Sequence, residues 1–199
     1  MSKSDSLTIV ELPEPQLRGE QSLEQTLASR RSIREFTDKP LTDAEISQLL
    51  WAAQGVTDPA GLRAAPSAGA LYPLEMYFAR SSGHYHFDPA RHQLTQRHDQ
   101  DLRRAIHRAA LSQDALIEAP AVFVITAVYA RTRAKYDDRA DRYVHMEAGH
   151  AAQNLLLQAV ALDLGGVPIG AFNDDRLSEI LGLPNHEAPL YLIPIGHPR

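Results

Sequence analysis

Apolar and polar residues alternate along this chain with two different periods, and the places where the period changes mark its elements. Ser22 to Ser29 reads as a short helix with Ser22 as its cap. Pro40-Leu41-Thr42-Asp43-Ala44-Glu45 opens a second helix, where Thr42 caps and Glu45 completes a capping box. Ile46, Leu49, Leu50 and Ala53 form its apolar face, and Gly55 stops it. Residues 56–73 carry Pro59, Gly61, Pro66, Gly69 and Pro73 and read as a loop, long enough in a compact domain to suggest function. Leu74 to Ala79 reads as a strand, Ser82-Gly83 as a turn, and His84 to Phe87 as the returning arm of a hairpin. Asp99 to Ala119 is helical in two pieces. Ala121 to Val128 is a continuous apolar run of the kind found in a buried central strand. Tyr143 to Leu164 is the longest expected helix, with a stripe of Val144, Ala148, Ala151, Leu155, Ala159 and Leu162, ended by Gly165-Gly166. Val167 to Phe172 reads as a strand-like entry. Asn173-Asp174-Asp175 caps a helix to Leu181, and Leu190 to Ile195 is a final strand. Long helices interleaved with a few strands indicate an α+β fold.

Composition narrows the class. At 199 residues one domain is expected, preceded by an extended arm over residues 1–21 that carries Pro13, Pro15 and Gly19. The net charge of −5 argues against nonspecific nucleic-acid or anionic-membrane partners. The absence of cysteine excludes disulfides, thiolate nucleophiles and Cys-ligated metal. No apolar run reaches spanning length and Met1-Ser2-Lys3-Ser4-Asp5 opens no signal peptide, so a cytoplasmic protein is expected. Lysine occurs only at Lys3, Lys39 and Lys135 in an arginine-rich chain. Lys135 therefore stands out, because arginine cannot give up its proton.

The candidate chemistry begins at Arg30-Arg31-Ser32-Ile33-Arg34-Glu35-Phe36. In an extended segment Arg30, Ser32 and Arg34 would point together while Ile33 and Phe36 anchor the backbone. Two guanidiniums and a hydroxyl suit a phosphate or delocalised oxyanion; the alternative is a solvated basic run after a helix end. Ala65-Pro66-Ser67-Ala68-Gly69-Ala70 and Gly166-Val167-Pro168-Ile169-Gly170 have little side-chain bulk. They either let backbone groups approach a flat ligand or are ordinary turns. Asn154 beside the long helix's stripe is either a buried structural hydrogen-bonding residue or a ligand contact. His145 and His150 are five apart, about 140° around a helix, which is not zinc-helix spacing. No P-loop, nucleophile elbow or nucleic-acid module is present.

Arg30-x-Ser32-x-Arg34, then Ala65 to Pro73, then Gly149-His-Ala-Ala-Gln-Asn-Leu-Leu-Leu157, then Gly166-Val-Pro-Ile-Gly-Ala-Phe172 resemble, in that order, the FMN-dependent nitroreductase superfamily. The branch most similar is the SagB-type azoline dehydrogenases, on the form Pro66-Ser-Ala-Gly-Ala-Leu-Tyr-Pro73 and on Lys135-Tyr136 before the long helix. The resemblance spans roughly residue 22 to the C-terminus. It implies a nitroreductase-like α/β/α sandwich with a mostly antiparallel sheet, an intertwined homodimer, and FMN at the interface. It implies that Arg30, Ser32 and Arg34 hold the phosphate and ring edge, with Arg199 reaching the phosphate. Pro66, Ser67, Ala68 and Gly69 would come from the partner subunit to cover the flavin. Val167, Pro168, Ile169, Gly170 and Ala171 would line the ring near N5, and Asn154 joins these as a cofactor contact. Lys135 and Tyr136 would be the catalytic pair that manages the proton accompanying hydride transfer; the alternative for Lys135 to Tyr143 is a solvated charged turn before the long helix. The expected activity is hydride transfer to or from flavin N5, as in azoline dehydrogenation of a peptide. The alternatives are an NAD(P)H-dependent reductase of nitroaromatics, quinones or flavin, and a flavin-binding protein without turnover. No metal, nucleic acid or membrane partner is expected.

Overall fold

The computed structural model describes residues 8–199, and a single twisted sheet organises them. Seven strands lie in the order β1-β4-β3-β2-β5-β7-β6. They are β1 (Ile9–Glu11), β2 (Leu74–Arg80), β3 (Gly83–Asp88), β4 (Gln93–His98), β5 (Ala121–Ala127), β6 (Gly165–Gly166) and β7 (Ala188–Gly196). Every neighbouring pair is antiparallel. The run expected to be a central strand is one: β5 is buried at every position and pairs with β2 on one side and β7 on the other.

Helices cover both faces. On one, α2 (Asp43–Gln54) and α6 (Ala140–Ala161) bury Leu49, Leu50, Val144, Ala151 and Leu155 against Met76, Phe78, Phe123 and Ile193. On the other, α3 (Arg103–Ala109), α4 (Ala115–Glu118) and α7 (Asp174–Leu181) pack Ile106, Leu116 and Leu177 against Tyr77, Val122, Val124 and Leu192. Fully burying each large apolar side chain is worth about 1.5–3 kcal/mol, which is why both faces of the sheet are covered. The fold is thus α+β, with an antiparallel sheet between two helical layers. The cap at Ser22 and the capping box at Thr42 form as the sequence implies, opening α1 (Leu23–Ser29) and α2, and Gln25 completes an unanticipated box at Ser22. Asn173 caps α7 through Arg176 N–H.

Four expectations change. The long helix runs from Ala140 to Ala161 rather than Tyr143 to Leu164, because Asp163 takes a positive φ of 57° and the chain turns there. Gly165-Gly166, expected to end the helix, is β6, which pairs with the end of β7. Val167 to Phe172 is not a strand. Pro168 has no N–H to give a ladder, so only Ile169 bridges to Leu192. The charged stretch before the long helix contains α5 (Tyr129–Tyr136), held to α6 by Tyr129–His145 and Arg133–Asp141 contacts. The sequence reading had no place for β4, whose six residues include one apolar side chain, Leu94. The arm's first seven residues lie outside the described residues. Its later part crosses α2, with Gln16 and Gln48 exchanging two hydrogen bonds and Ser47 donating to the Pro13 carbonyl.

Candidate functional site

The basic segment after α1 is pinned at both ends to the C-terminal strands. Ser32 bridges Gly166 in parallel, and Ile33 N–H donates to the Gly166 carbonyl at 3.1 Å. Further on, the buried Phe36 bridges Pro198 and Thr37 N–H donates to the His197 carbonyl. Glycine is needed at 165, where a Cβ would lie 2.7 Å from Ile33 Cβ. Ile33 turns inward and leaves Ser32 and Arg34 exposed on either side of it. Arg30 is half-buried. Among the described residues no carboxylate pairs with Arg30 or Arg34; Arg34 only approaches the Ser32 carbonyl, at 3.5 Å. Arg199 is brought to the same segment, but its guanidinium donates to the Phe36 carbonyl at 2.9 Å and its backbone N–H to the Glu35 carbonyl.

The small-residue stretch continues directly from this clamp. Val167 and Ile169 are buried, which leaves Pro168, Gly170 and Ala171 facing out. Leu156 on α6 abuts Gly166, so the part of the helix that carries the half-buried Asn154 lies next to the clamp. Beyond Gly170 a cleft of about 510 Å³ opens, lined by Tyr129, His145, Ala148, Gly170, Phe172 and Tyr191. The Tyr129 hydroxyl and His145 Nε2 are 2.8 Å apart at its wall.

Pro66, Ser67, Ala68 and Gly69 gather with a different set of residues. A Cβ placed on Gly69 would lie 2.9 Å from Tyr136 Oη and 3.1 Å from Lys135 Nζ, so both side chains converge on this loop. Tyr136 also packs edge-on against Tyr143, with ring centroids 5.0 Å apart. The loop backbone is unusual: Gly69, Ala70 and Tyr72 all have positive φ, at 64°, 53° and 46°. Such conformations persist in non-glycine residues only when surroundings hold them.

Those surroundings are polar, half-buried at Arg63, Ser67 and Tyr72 and buried at Gln54 and Glu147, and of them only Ser67 stood out in the sequence. Ser67 Oγ accepts from Tyr72 N–H at 2.9 Å. Arg63 N–H donates to the Tyr72 hydroxyl, its guanidinium lies 4.5 Å over the Tyr72 ring, and its Nη1 donates to Gln54 Oε1. Glu147 on α6 is 2% exposed. Burial pushes its carboxyl up to about 7, against the opposing pull of the Ser67 hydroxyl and Arg63. Nearby, burial also raises Glu75, but His86 and Arg131 outweigh it and hold that carboxyl below its ordinary value. A signal for Glu147 existed: it falls three residues after Val144 and one before Ala148, inside the apolar stripe. Among the described residues no cluster of His, Asp and Glu could hold a metal ion, and no helix is long and apolar enough to cross a membrane.

Comparison with known proteins bears on the family and the fold. The model of the family described as "Nitroreductase family" matches residues 27–197. A Methanocaldococcus jannaschii protein named "Putative nitroreductase MJ1384" is 46% identical over 180 residues, covering 87% of this chain and 90% of that one. A Bacillus subtilis protein named FMN reductase (NADPH) is 26% identical, over 87% of this chain and 65% of its own length. A crystal structure described as a "putative nitroreductase" from Ralstonia eutropha superposes with a TM-score of 0.87 at 32% identity, covering 96% of this chain and 90% of that one.

Proposed function

The chain belongs to the nitroreductase family of oxidoreductases, and from that premise we propose that it is an FMN-dependent enzyme moving hydride to or from flavin N5. One observation carries the cofactor reading. Arg30 and Arg34 flank a backbone pinned to Gly166, are not spent on any carboxylate among the described residues, and belong to the segment next to which the chain runs on from Gly166 into the exposed Pro168, Gly170 and Ala171. A terminal phosphate with a flat ring beyond it fits that donor set, and no dinucleotide fingerprint is present for an adenine half. Arg30, Ser32 and Arg34 bind the phosphate, and Arg199 supports the segment from its far end. Val167 to Ala171 and Asn154 line the ring.

The flavin, when bound, supplies the hydride chemistry; the chain's residues hold, shield and tune it. Pro66 to Gly69 cover the ring of the partner subunit's flavin in a homodimer. Lys135 and Tyr136 rest on Gly69, so they accompany that loop and handle the proton that leaves or joins the carbon next to the hydride position. With an azoline-bearing peptide as substrate this pair acts as the base. The runner-up is an NAD(P)H-dependent reductase of nitroaromatics, quinones or flavin. The cleft beside Gly170 favours it, because its Phe172 and Tyr191 walls suit a flat aromatic or nicotinamide ring.

The test has two stages. The cofactor is released by heat and identified by chromatography: FMN is expected, and FAD, or no flavin after reconstitution, overturns the reading. The yellow protein is then titrated anaerobically with NADH and NADPH and assayed on an azoline peptide. Rapid bleaching without azoline oxidation selects the runner-up, and flavin inert to every donor and substrate leaves a flavin-binding protein without turnover.

A further inference from the structure

The fold gives His145 a partner that its spacing from His150 does not. Tyr129 opens α5 two residues after the last residue of β5, and its hydroxyl lies 2.8 Å from His145 Nε2 on α6. Two neighbours fix the Tyr129 ring. His145 meets it edge-on with ring centroids 5.9 Å apart, and the Arg133 guanidinium lies 5.5 Å from its centroid while pairing with Asp141 at 2.7 Å. A phenol held in this way at the wall of the cleft of about 510 Å³ is a placed group rather than a loose surface side chain. The pair also spans the boundary between water and the cleft, for Tyr129 is half-buried and His145 is exposed. A neutral imidazole carries its proton on one nitrogen and accepts at the other. With the proton on Nε2, His145 donates to the Tyr129 oxygen, and the phenol O–H is free to donate to a ligand in the cleft. When the phenol gives up its proton, the Nε2 proton follows onto the phenol oxygen and Nδ1 takes one from water. The rest of the cleft includes Ala148, Phe172 and Tyr191, and among the described residues the one carboxylate lining it is Asp174, with no lysine or arginine beside it.

We propose that Tyr129 is a catalytic proton donor and His145 the positioning residue that reloads it from solvent, serving an uncharged flat ring with an oxygen acceptor, a quinone or nitroarene, with Asp174 selecting against anionic analogues. This rests on the flavin reading given above and deepens its runner-up. Two-electron reduction of either acceptor takes one hydride, which that reading supplies from NAD(P)H, and one proton. A quinone becomes the hydroquinone. A nitro group loses one oxygen as water and becomes the nitroso group. In both cases the proton arrives at oxygen, and Tyr129 Oη supplies it. Lys135 and Tyr136 converge instead on Gly69, so each pair serves a different reaction.

The experiment uses 4-nitrobenzamide and the anionic 4-nitrobenzoate. Calorimetry on the oxidised, flavin-loaded protein, with no electron donor, should find the amide bound about fivefold more tightly, the factor for one solvated charge contact. Asp174→Asn should close most of that gap. Equal binding of the two by wild type overturns the selection. The protein is then reduced with one equivalent of dithionite and mixed with saturating amide. Tyr129→Phe should reoxidise about 10²-fold more slowly than wild type, the low end of general acid catalysis. Its affinity for the amide should fall by no more than about fivefold, one ordinary hydrogen bond. His145→Ala should also be slowed and should regain speed with added imidazole, which a merely structural role would not show. An unchanged rate in Tyr129→Phe, or no rescue of His145→Ala, overturns the proposal. If Tyr129→Phe does not fold, the rescue decides alone. A further readout needs no flavin. In the flavin-free protein, 4-nitrobenzamide should shift the His145 ring-nitrogen resonances in wild type and not in Tyr129→Phe; no shift in wild type overturns the proposal. A protein that shows the shift but binds no flavin loses the flavin reading and keeps the cleft with its donor pair.

Discussion

At the clamp end of the candidate site, Arg30 and Arg34 project from a backbone stitched to β6 and are balanced by no carboxylate among the described residues. At the cover end, Arg63, Ser67 and Tyr72 are tied to one another by hydrogen bonds beneath a strained loop, and the buried Glu147 carboxyl lies close to Ser67 and Arg63 with its Oε1 unpartnered. On the proposed reading the first end is completed by a ligand, because its charges are not paired with any carboxylate among the described residues. The second is completed by the protein, and presents to a ligand only the bare edge of Pro66 to Gly69. The contrast predicts that clamp substitutions act on affinity with little effect on the fold. Cover substitutions should mix stability, pH dependence and turnover.

The largest effect expected is at Lys135 and Tyr136, which ride on the cover. Lys135→Ala and Tyr136→Phe should leave FMN bound and its reduction by an external donor intact. Oxidation of an azoline peptide should fall by about 10² to 10⁴, the usual share of general acid–base catalysis. Mixing subunits then tests which flavin the pair serves. In a heterodimer of Lys135→Ala with Arg34→Ala, the intact flavin site and the intact Lys135 lie on opposite subunits. Recovery of up to one working site per dimer, at FMN concentrations that separate the two affinities, is expected if cover and pair act on the partner's flavin. No recovery removes that assignment.

Next in size is the clamp itself. Arg34→Ala should weaken FMN binding by about 1.5–3 kcal/mol, the range for a hydrogen bond to a charged group. The melting temperature of the apo protein should not move, since the Arg34 side chain makes one long contact to the Ser32 carbonyl. A fall in stability with unchanged flavin affinity would make the segment structural and erase the contrast between the two ends.

That contrast also explains what could be read from the chain. The anchored backbone around Ile33 and Phe36 was legible because a β-branched and an aromatic residue after a helix end favour an extended, packed segment, and the structure pins it to Gly166 and Pro198; that Arg30, Ser32 and Arg34 hold a phosphate is the proposal made above. The central strand β5, the Ser22 cap and the Thr42 capping box were legible because burial and local hydrogen bonding dictate them within a few residues. Glu147 was passed over because one acid in a helical stripe looks like a register error until Ser67 and Arg63, 80 and more residues earlier in the chain, are folded against it. The β4 strand was missed for a related reason. Gln93 to His98 becomes a strand through its partners β3 and β1, not through its own single apolar residue. Likewise α5 is polar along most of its length and is set by α6, against which Tyr129, Arg133 and Tyr136 pack.

A pH series sharpens the comparison by pairing Glu147 with a buried group far from the site. His84 is fully buried in β3, stacked between Tyr77 and His98, with both ring nitrogens unpartnered. Burial and the neighbouring His98 and Arg97 hold it down to about 3, from 6.5. Its depressed value means stability that is present above pH 6.5 and lost as pH falls toward 3. Glu147 is the opposite case: raised from 4.5 to about 7, it contributes stability present below pH 4.5 and lost as pH rises through 7. Between pH 4.5 and 6.5 the two slopes oppose. Glu147→Gln should therefore gain stability relative to wild type as pH rises from 5 to 7, by about 2 kcal/mol in denaturant titrations. A constant difference across the series would mean that Glu147 does not titrate in that window.

The smallest effect is expected from two glycines that mark the two ends. Gly165→Ala drives a methyl to 2.7 Å from both Ile33 Cβ and Cγ1, on a β-branched side chain with little room to rotate. The clamp backbone must lift from β6, so FMN affinity should fall together with about 1–2 kcal/mol of stability, as overpacking usually costs. Gly69→Ala meets only the tips of Tyr136 and Lys135, which can swing aside, but its φ of 64° disfavours any Cβ. Its stability cost should be about 1 kcal/mol, and FMN affinity should change little, because the clamp is untouched. What it should change is turnover, since the methyl displaces the two side chains that converge on this position. The split between affinity at Gly165 and turnover at Gly69, measured by flavin titration and peptide oxidation on the same preparations, separates a ligand-holding end from a proton-handling one. If both variants lose affinity in equal measure, the cover is part of the binding surface, and the proton-handling role of Lys135 and Tyr136 has to stand on the mixed-dimer result alone.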